Sequence, residues 1–98
     1  MLFASVFTYR DRTEEQQKRQ TELFSKWTPP EGVEIKAIYA FADASGGIVL
    51  SESNSAAAVF EAHMPWEPFV DWKTSPIIDV AEVIPIAQKV YGWRDSVG

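Results

Sequence analysis

His63 is the only histidine of this 98-residue chain, and its side chain is the one whose ordinary pKa lies near neutral pH. It falls on the apolar stripe of a predicted helix, where it could act as a general base or bind haem from a pocket between helix and sheet. It could equally be a partly buried histidine bonded to a carbonyl or stabilised by the helix dipole. No carboxylate or nucleophile motif accompanies it, so both interpretations stay open.

The best candidates for the walls of a binding pocket are aromatic. Tyr9, Tyr39 and Trp72 each offer a flat apolar surface, and the tyrosines add a hydroxyl group that can orient a ligand. Trp66 is a further candidate because it lies close to His63 in the sequence. The structural alternative for these tryptophans is packing in the core or at a dimer interface.

Asp71 is a candidate proton acceptor, provided that its strand turns it towards an enclosed space. It shares a strand face with Lys73, and Glu34 shares one with Lys36. The alternative is that both pairs lie on edge strands, where charged side chains discourage unwanted pairing.

Composition excludes several classes of site and partner. The chain has no cysteine, and it has no paired histidine or carboxylate motif, so we expect no disulfide, no metal site and no cofactor. A net charge of −5 with scattered basic residues argues against nucleic acid. No run reaches the ~20 apolar residues of a membrane span, and "MLFASVF" is a poor signal peptide. We therefore expect a cytoplasmic protein without a membrane partner.

The stretch "DASGGIVL", residues 43–50, resembles a phosphate-binding loop because two glycines follow a polar turn. Phosphate loops lead from a strand into a helix, whose amides hold the anion, but this stretch leads into another strand. The pattern therefore predicts a hairpin turn, with Gly46 supplying a positive φ. A glycine in a strand also indicates a bulge or a close approach.

Periodicity predicts the remaining elements. Residues 2–9 form a strand that is apolar on both sides, and a helix capped by Thr13 ends before Pro29. The hairpin "GVEIKAIYAFADASGGIVLSES" precedes a second helix that ends at Met64, and "FVDWKTSPIIDV" is the fourth strand. In the tail we expect a short helix from Pro85 to Gly92.

This element order predicts one α+β domain over residues 1–98, with a ferredoxin-like βαββαβ arrangement, a four-stranded antiparallel sheet and a C-terminal helix. Both helices between strands pack on one sheet face. The other face would then expose the apolar side chains of residues 2–9 and 37–42. We expect a homodimer, in which two sheets meet and enclose a shared interior. The C-terminal helix covering its own sheet is the alternative.

The stretches "TYR", "PPEGVEIKAIYAFADASGG" and "FVDWKTSPIID" together resemble an uncharacterised bacterial family of the dimeric α/β-barrel superfamily, over nearly the whole chain. The resemblance implies a dimeric α/β barrel. Relatives in that superfamily include cofactor-independent monooxygenases, haem-degrading monooxygenases, muconolactone isomerase-like enzymes and stress-response proteins. The haem-degrading relatives use an Asn, Trp and His set, whereas the only Asn here, Asn54, stands at a predicted helix cap.

Two functions follow as hypotheses. The first is a protein that binds or transforms a small hydrophobic or aromatic molecule in the barrel interior, with His63 as its catalytic residue if it is a monooxygenase- or isomerase-like enzyme. The second is a non-catalytic stress-response or interaction module whose sheet face serves only dimer assembly. A cavity lined by His63, Tyr9 or Asp71 would favour the first.

Overall fold

The computed structural model describes all residues from Met1 to Gly98. Four strands and three helices follow in the order β1, α1, β2, β3, α2, β4, α3, and a 3-10 turn over Met64–Trp66 extends α2. The strands are β1 (Leu2–Tyr9), β2 (Val33–Ala40), β3 (Gly46–Ser53) and β4 (Val70–Ile77). The helices are α1 (Glu14–Ser25), α2 (Ala56–His63) and α3 (Val80–Val97).

The sheet confirms the predicted ferredoxin-like arrangement. Its strand order is β2-β3-β1-β4, and every neighbouring pair is antiparallel. The strands β2 and β4, which carry the charged pairs, are the two edges, as expected. Thr13 caps α1 by accepting a hydrogen bond from the Gln16 amide at 3.1 Å, as its spacing predicts. Ser55 caps α2 in the same way.

The register assigns side chains to two faces, because residues directly opposite each other in antiparallel strands lie on the same side. The face towards α1 and α2, the helix face, has at its centre Phe3, Ser5, Phe7, Tyr9, Val49, Ser51, Val70, Trp72 and Thr74. The other face, the open face, has at its centre Leu2, Ala4, Val6, Ile48, Leu50, Lys73 and Ser75. No element of the chain packs on the open face.

A β-bulge between Ile35 and Ala37 changes the faces of β2. Uninterrupted alternation would place Tyr39 on the same side as Ile35. The extra residue instead turns Ile38 towards the helices and leaves Tyr39 opposite Ile48, on the open face. Tyr39, a predicted pocket wall, therefore lies on the open face and not on the side of the helices.

The C-terminal helix is longer than expected. It runs from Val80 to Val97, with Pro85 inside it, and its cap Asp79 accepts a hydrogen bond from the Ala81 amide at 2.8 Å. Pro85 removes the N–H that would bond to the carbonyl of Ala81, but exposure of this helix leaves that carbonyl free to bind water. Gly92, the expected stop, lies within the helix.

The position of α3 answers the alternative left open by the sequence. None of its residues is buried, so it does not cover its own sheet. The chain measures 60 Å in its longest direction, in keeping with a helix that extends away from the sheet. None of the helices combines the length and the apolar composition needed to cross a membrane.

The hairpin between β2 and β3 is a turn, but its glycines work differently from the prediction. The positive φ, 63°, belongs to Ala44, not to Gly46. Asp43 fixes the turn by accepting hydrogen bonds from the amide and the hydroxyl of Ser45 at 3.0 and 2.7 Å, and these bonds hold the pKa of its carboxyl below the usual value. Gly46 lies against Phe7, where an added Cβ would be 1.8 Å from the carbonyl oxygen.

These observations predict opposite effects on stability for two substitutions in the hairpin between β2 and β3. In Gly46→Ala the added methyl group would overlap the carbonyl oxygen of Phe7, so the substitution should lower the free energy of unfolding by about 3 kcal/mol or more. Ala44→Gly relieves a left-handed backbone and should raise it by up to about 1 kcal/mol. Urea unfolding of both variants measures these changes. A harmless Gly46→Ala exchange would contradict the close approach.

Candidate functional site

A cavity of about 300 Å³ lies between the helix face of the sheet and the helices α1 and α2. Fourteen of its twenty lining residues are hydrophobic. The sheet contributes Phe7, Val49 and Trp72, α1 contributes Phe24, and α2 contributes Ala62. This size is at the lower end of the range for ligand sites, and the mostly apolar lining is typical of them.

The cavity exists because α1 stands off the sheet. No residue of α1 is buried. Phe24 of α1 and the following Trp27 contact Trp66, with ring centroids 5.8 and 5.5 Å apart, and the Phe24 and Trp27 rings stack on each other. Trp66 itself is buried. Three aromatic rings therefore join the end of α1 to the turn after α2, and the space beside them stays open.

His63 lies in the cavity wall within a chain of hydrogen bonds. Its Nε2 is 3.1 Å from the hydroxyl of Ser5, which is fully buried. Thr74 donates to the same Ser5 hydroxyl at 3.1 Å. The imidazole also stacks on Trp72, with ring centroids 4.1 Å apart and planes 18° from parallel. The imidazole is thus held by stacking on one face of the ring and by a hydrogen bond at Nε2.

Burial lowers the pKa of His63 below its usual value of 6.5, because desolvation disfavours the charged imidazolium. The ring is therefore neutral at neutral pH. When Thr74 donates to Ser5, the Ser5 hydrogen goes to Nε2, and the ring hydrogen sits on Nδ1. Nδ1 has no partner in the chain and is not sealed from solvent. His63 then carries an N–H donor that is free to bond to water or to a ligand.

The hydrogen bond to Ser5 limits the two chemical roles, general base and haem ligand, that the sequence predicts for His63. Nε2, the nitrogen that would accept a proton or bind a haem iron, is occupied by Ser5. A general base at Nδ1 requires the reversed chain, in which Nε2–H donates to Ser5 and Ser5 donates to Thr74. The expected carbonyl partner is also absent, since a side-chain hydroxyl takes its place.

Trp72 adds a second polar feature to the same wall. Its indole Nε1 is buried and has no hydrogen-bond acceptor in the chain. A buried N–H without a partner costs stability, and such groups are few in folded proteins.

The other predicted site residues divide into two groups. Tyr9, Trp66 and Trp72 line the cavity together with His63. Tyr39 does not line it, because the bulge turns its side chain to the open face, where it is 60% exposed. Asp71 does not line it either, since it lies on the open face of β4 and accepts a hydrogen bond from Arg10 Nε at 2.8 Å.

Sequence reasoning did not single out Ser5, Thr74 or Arg12 as residues of the site. Ser5 alternates with Phe3 and Phe7, so its place on the helix face could have been read from the strand period. Thr74 alternates with Trp72 in the same way. Arg12, which lines the cavity from the loop before α1, lies in a segment without periodicity, so no such signal was available.

The lowered pKa of His63 predicts how stability depends on pH. As the pH falls below about 6.5, the unfolded chain binds a proton before the folded chain does, so the free energy of unfolding should fall with it. Above that pH, His63 is neutral in both the folded and the unfolded chain, so stability no longer depends on pH through this residue. Urea unfolding between about pH 7.5 and 5.5 should therefore show a loss in the wild type that His63→Gln lacks.

His63→Gln is a clean comparison because the chain has no second histidine. Equal pH dependence in both proteins over that interval would show that His63 is not desolvated by the fold.

Comparison with known proteins identifies the family of this chain but indicates no activity. No curated protein matches the sequence. The model of one protein family matches residues 1–91, and its description is "Domain of unknown function (DUF3303)". With almost its whole length matched, the chain belongs to the DUF3303 family.

Proposed function

We propose that this protein binds a small, flat, apolar molecule in the cavity between α1, α2 and the helix face of the sheet. The observation that carries the proposal is the cavity itself, about 300 Å³ of space lined mainly by aromatic and aliphatic side chains. Folded proteins rarely leave such space, since their interiors are close-packed. The volume suits a molecule of one or two aromatic rings.

The few polar groups in the wall suit orientation of a ligand better than acid–base catalysis. His63 is the only titratable group there whose ordinary pKa is near neutral, and its Nε2 is already bonded to Ser5. Turnover of isomerase or cofactor-independent monooxygenase type would have to use His63 as its proton-transfer group. Binding requires only its neutral N–H or lone pair.

Binding can be tested with naphthol as a probe and with two matched variants of α2. Ala62 lines the cavity, so Ala62→Leu fills part of it, whereas Ala57→Leu makes the same change at an exposed position of the same helix. Wild type and Ala57→Leu should be stabilised against unfolding, by about 2.7 kcal/mol when naphthol is at 100 times its Kd. Ala62→Leu should gain little.

Circular dichroism of each variant without naphthol checks that Ala62→Leu still folds. No stabilisation of the wild type by naphthol or by other neutral arenes of similar size would contradict the proposal. Equal stabilisation of the Ala62→Leu variant would place the probe elsewhere.

We also propose that the protein is a homodimer of the dimeric α/β-barrel type. The single chain exposes 7259 Å², whereas a folded monomer of 11.0 kDa exposes about 5,600 Å². The excess, about 1,600 Å², is twice what each partner contributes to a standard interface. Only ten of the 98 residues are buried. A second copy of this chain is the occupant that accounts for both numbers.

Two surfaces supply this excess. The open face carries Val6, Ile48 and Leu50 at its centre, framed by ion pairs at its edges such as Arg10–Asp71. On α3, eight large apolar side chains are exposed, among them Trp93 at 65%. A twofold axis at the open face would bring both surfaces against the partner. They also favour the alternative function, a module that serves assembly alone.

Sedimentation velocity of the wild type and two variants tests the dimer. Leu50→Glu puts a charge in the middle of the open face and should give a monomer, because an unpaired buried carboxylate costs several kcal/mol. Thr28→Glu adds the same charge at an exposed site between α1 and β2 and should leave the dimer intact. A wild type that sediments as a monomer at high concentration would contradict the proposal.

A further inference from the structure

The rim of the cavity carries one charged side chain, that of Arg12. Arg12 lies in the loop between β1 and α1, and its guanidinium carbon is 3.8 Å from the centroid of the Tyr9 ring. Its Nη1 donates a hydrogen bond to the carbonyl of Ala44 at 3.1 Å. Stacking on an aromatic ring and one fixed hydrogen bond hold the guanidinium plane in place.

Five of the nine Lys and Arg side chains have an acidic partner, and of the four that have none, Arg12, Lys73, Lys89 and Arg94, only Arg12 lines the cavity. Arg10 pairs with Asp71, Arg19 with Glu22, and the lysines of α1 and β2 pair with glutamates. The guanidinium has five N–H donors, and one of them is used by Ala44. The remaining donors are available at the mouth of an otherwise apolar cavity.

We propose that the ligand is an aromatic or similarly flat carboxylate, with its rings in the apolar interior and its anionic group paired with Arg12. This inference rests on the proposed binding function. A planar guanidinium and a carboxylate form two parallel hydrogen bonds, a geometry that lysine cannot provide. A phosphate is a poorer fit, because only one cationic side chain lines the cavity.

The overall charge makes a local cation necessary for an acidic ligand. A chain of net charge −5 repels small anions at long range, so binding of an acid depends on a local cation. Neutral donors of α1, on Gln17, Gln20 and Thr21, also line the cavity and can donate to the remaining lone pairs of the carboxylate. Tyr9 then has two roles, since its ring supports Arg12 and forms part of the wall.

The test compares naphthoate with naphthamide, its neutral counterpart of nearly the same shape, by isothermal titration calorimetry. Wild type should bind naphthoate about tenfold or more tightly than naphthamide, since hydrogen bonds between charged groups are the stronger ones. Arg12→Gln should remove that preference by weakening naphthoate binding more than naphthamide binding. Arg12→Lys should keep part of it. Raising the salt concentration should weaken naphthoate binding alone.

Arg10→Gln is the matched control, because Arg10 pairs with Asp71 outside the cavity. Its preference for naphthoate should equal that of the wild type. If wild type binds both compounds equally, or Arg12→Gln keeps the preference, the carboxylate proposal falls and the binding proposal stands. If wild type binds neither compound nor any neutral arene, both proposals fall.

Discussion

Contact between the rings of Phe24, Trp27 and Trp66 determines most of what this fold can do. These rings join the end of α1 to the turn after α2, and α1 buries none of its own residues. A helix that packed directly on the sheet would close the space that His63 and Trp72 now border. The cavity therefore lies beside an aromatic contact at one end of α1, and the three rings are part of its wall.

The sheet below the cavity is adapted to this arrangement in detail. Gly47 has no room for a side chain, because a Cβ there would meet the Tyr39 carbonyl at 2.2 Å and the ring of Phe7 at 2.5 Å. Its missing side chain lets Phe7 lie flat as part of the cavity floor. Ser5, two residues before Phe7 on β1, forms a hydrogen bond with His63 instead of adding an apolar side chain to the core. Small and polar residues in the central strands thus leave space and position one imidazole.

The features that could be predicted from sequence are those that rest on a repeating pattern of residues. Alternation and capping predicted the strand order, both edge strands and the Thr13 cap, because each rests on several residues with one period. The bulge that turns Tyr39 away involves a single extra residue and has no period. The length of α3 depends on exposure of the Ala81 carbonyl, which the sequence does not encode locally. The ion-pair partner of Asp71, Arg10, is distant in sequence, so no local pattern indicates it.

The four tryptophans provide the most direct test of the central claim, that a small apolar molecule enters between α1 and the helix face. Trp27, Trp66 and Trp72 line the cavity, and Trp93 lies on α3 outside it. In a proton–nitrogen correlation spectrum, their indole N–H signals can be assigned by single Trp→Phe exchanges. Titration with naphthol should shift the signals of the three cavity tryptophans and leave that of Trp93 in place. Shifts confined to Trp93, or no shift at saturating naphthol, would contradict the account.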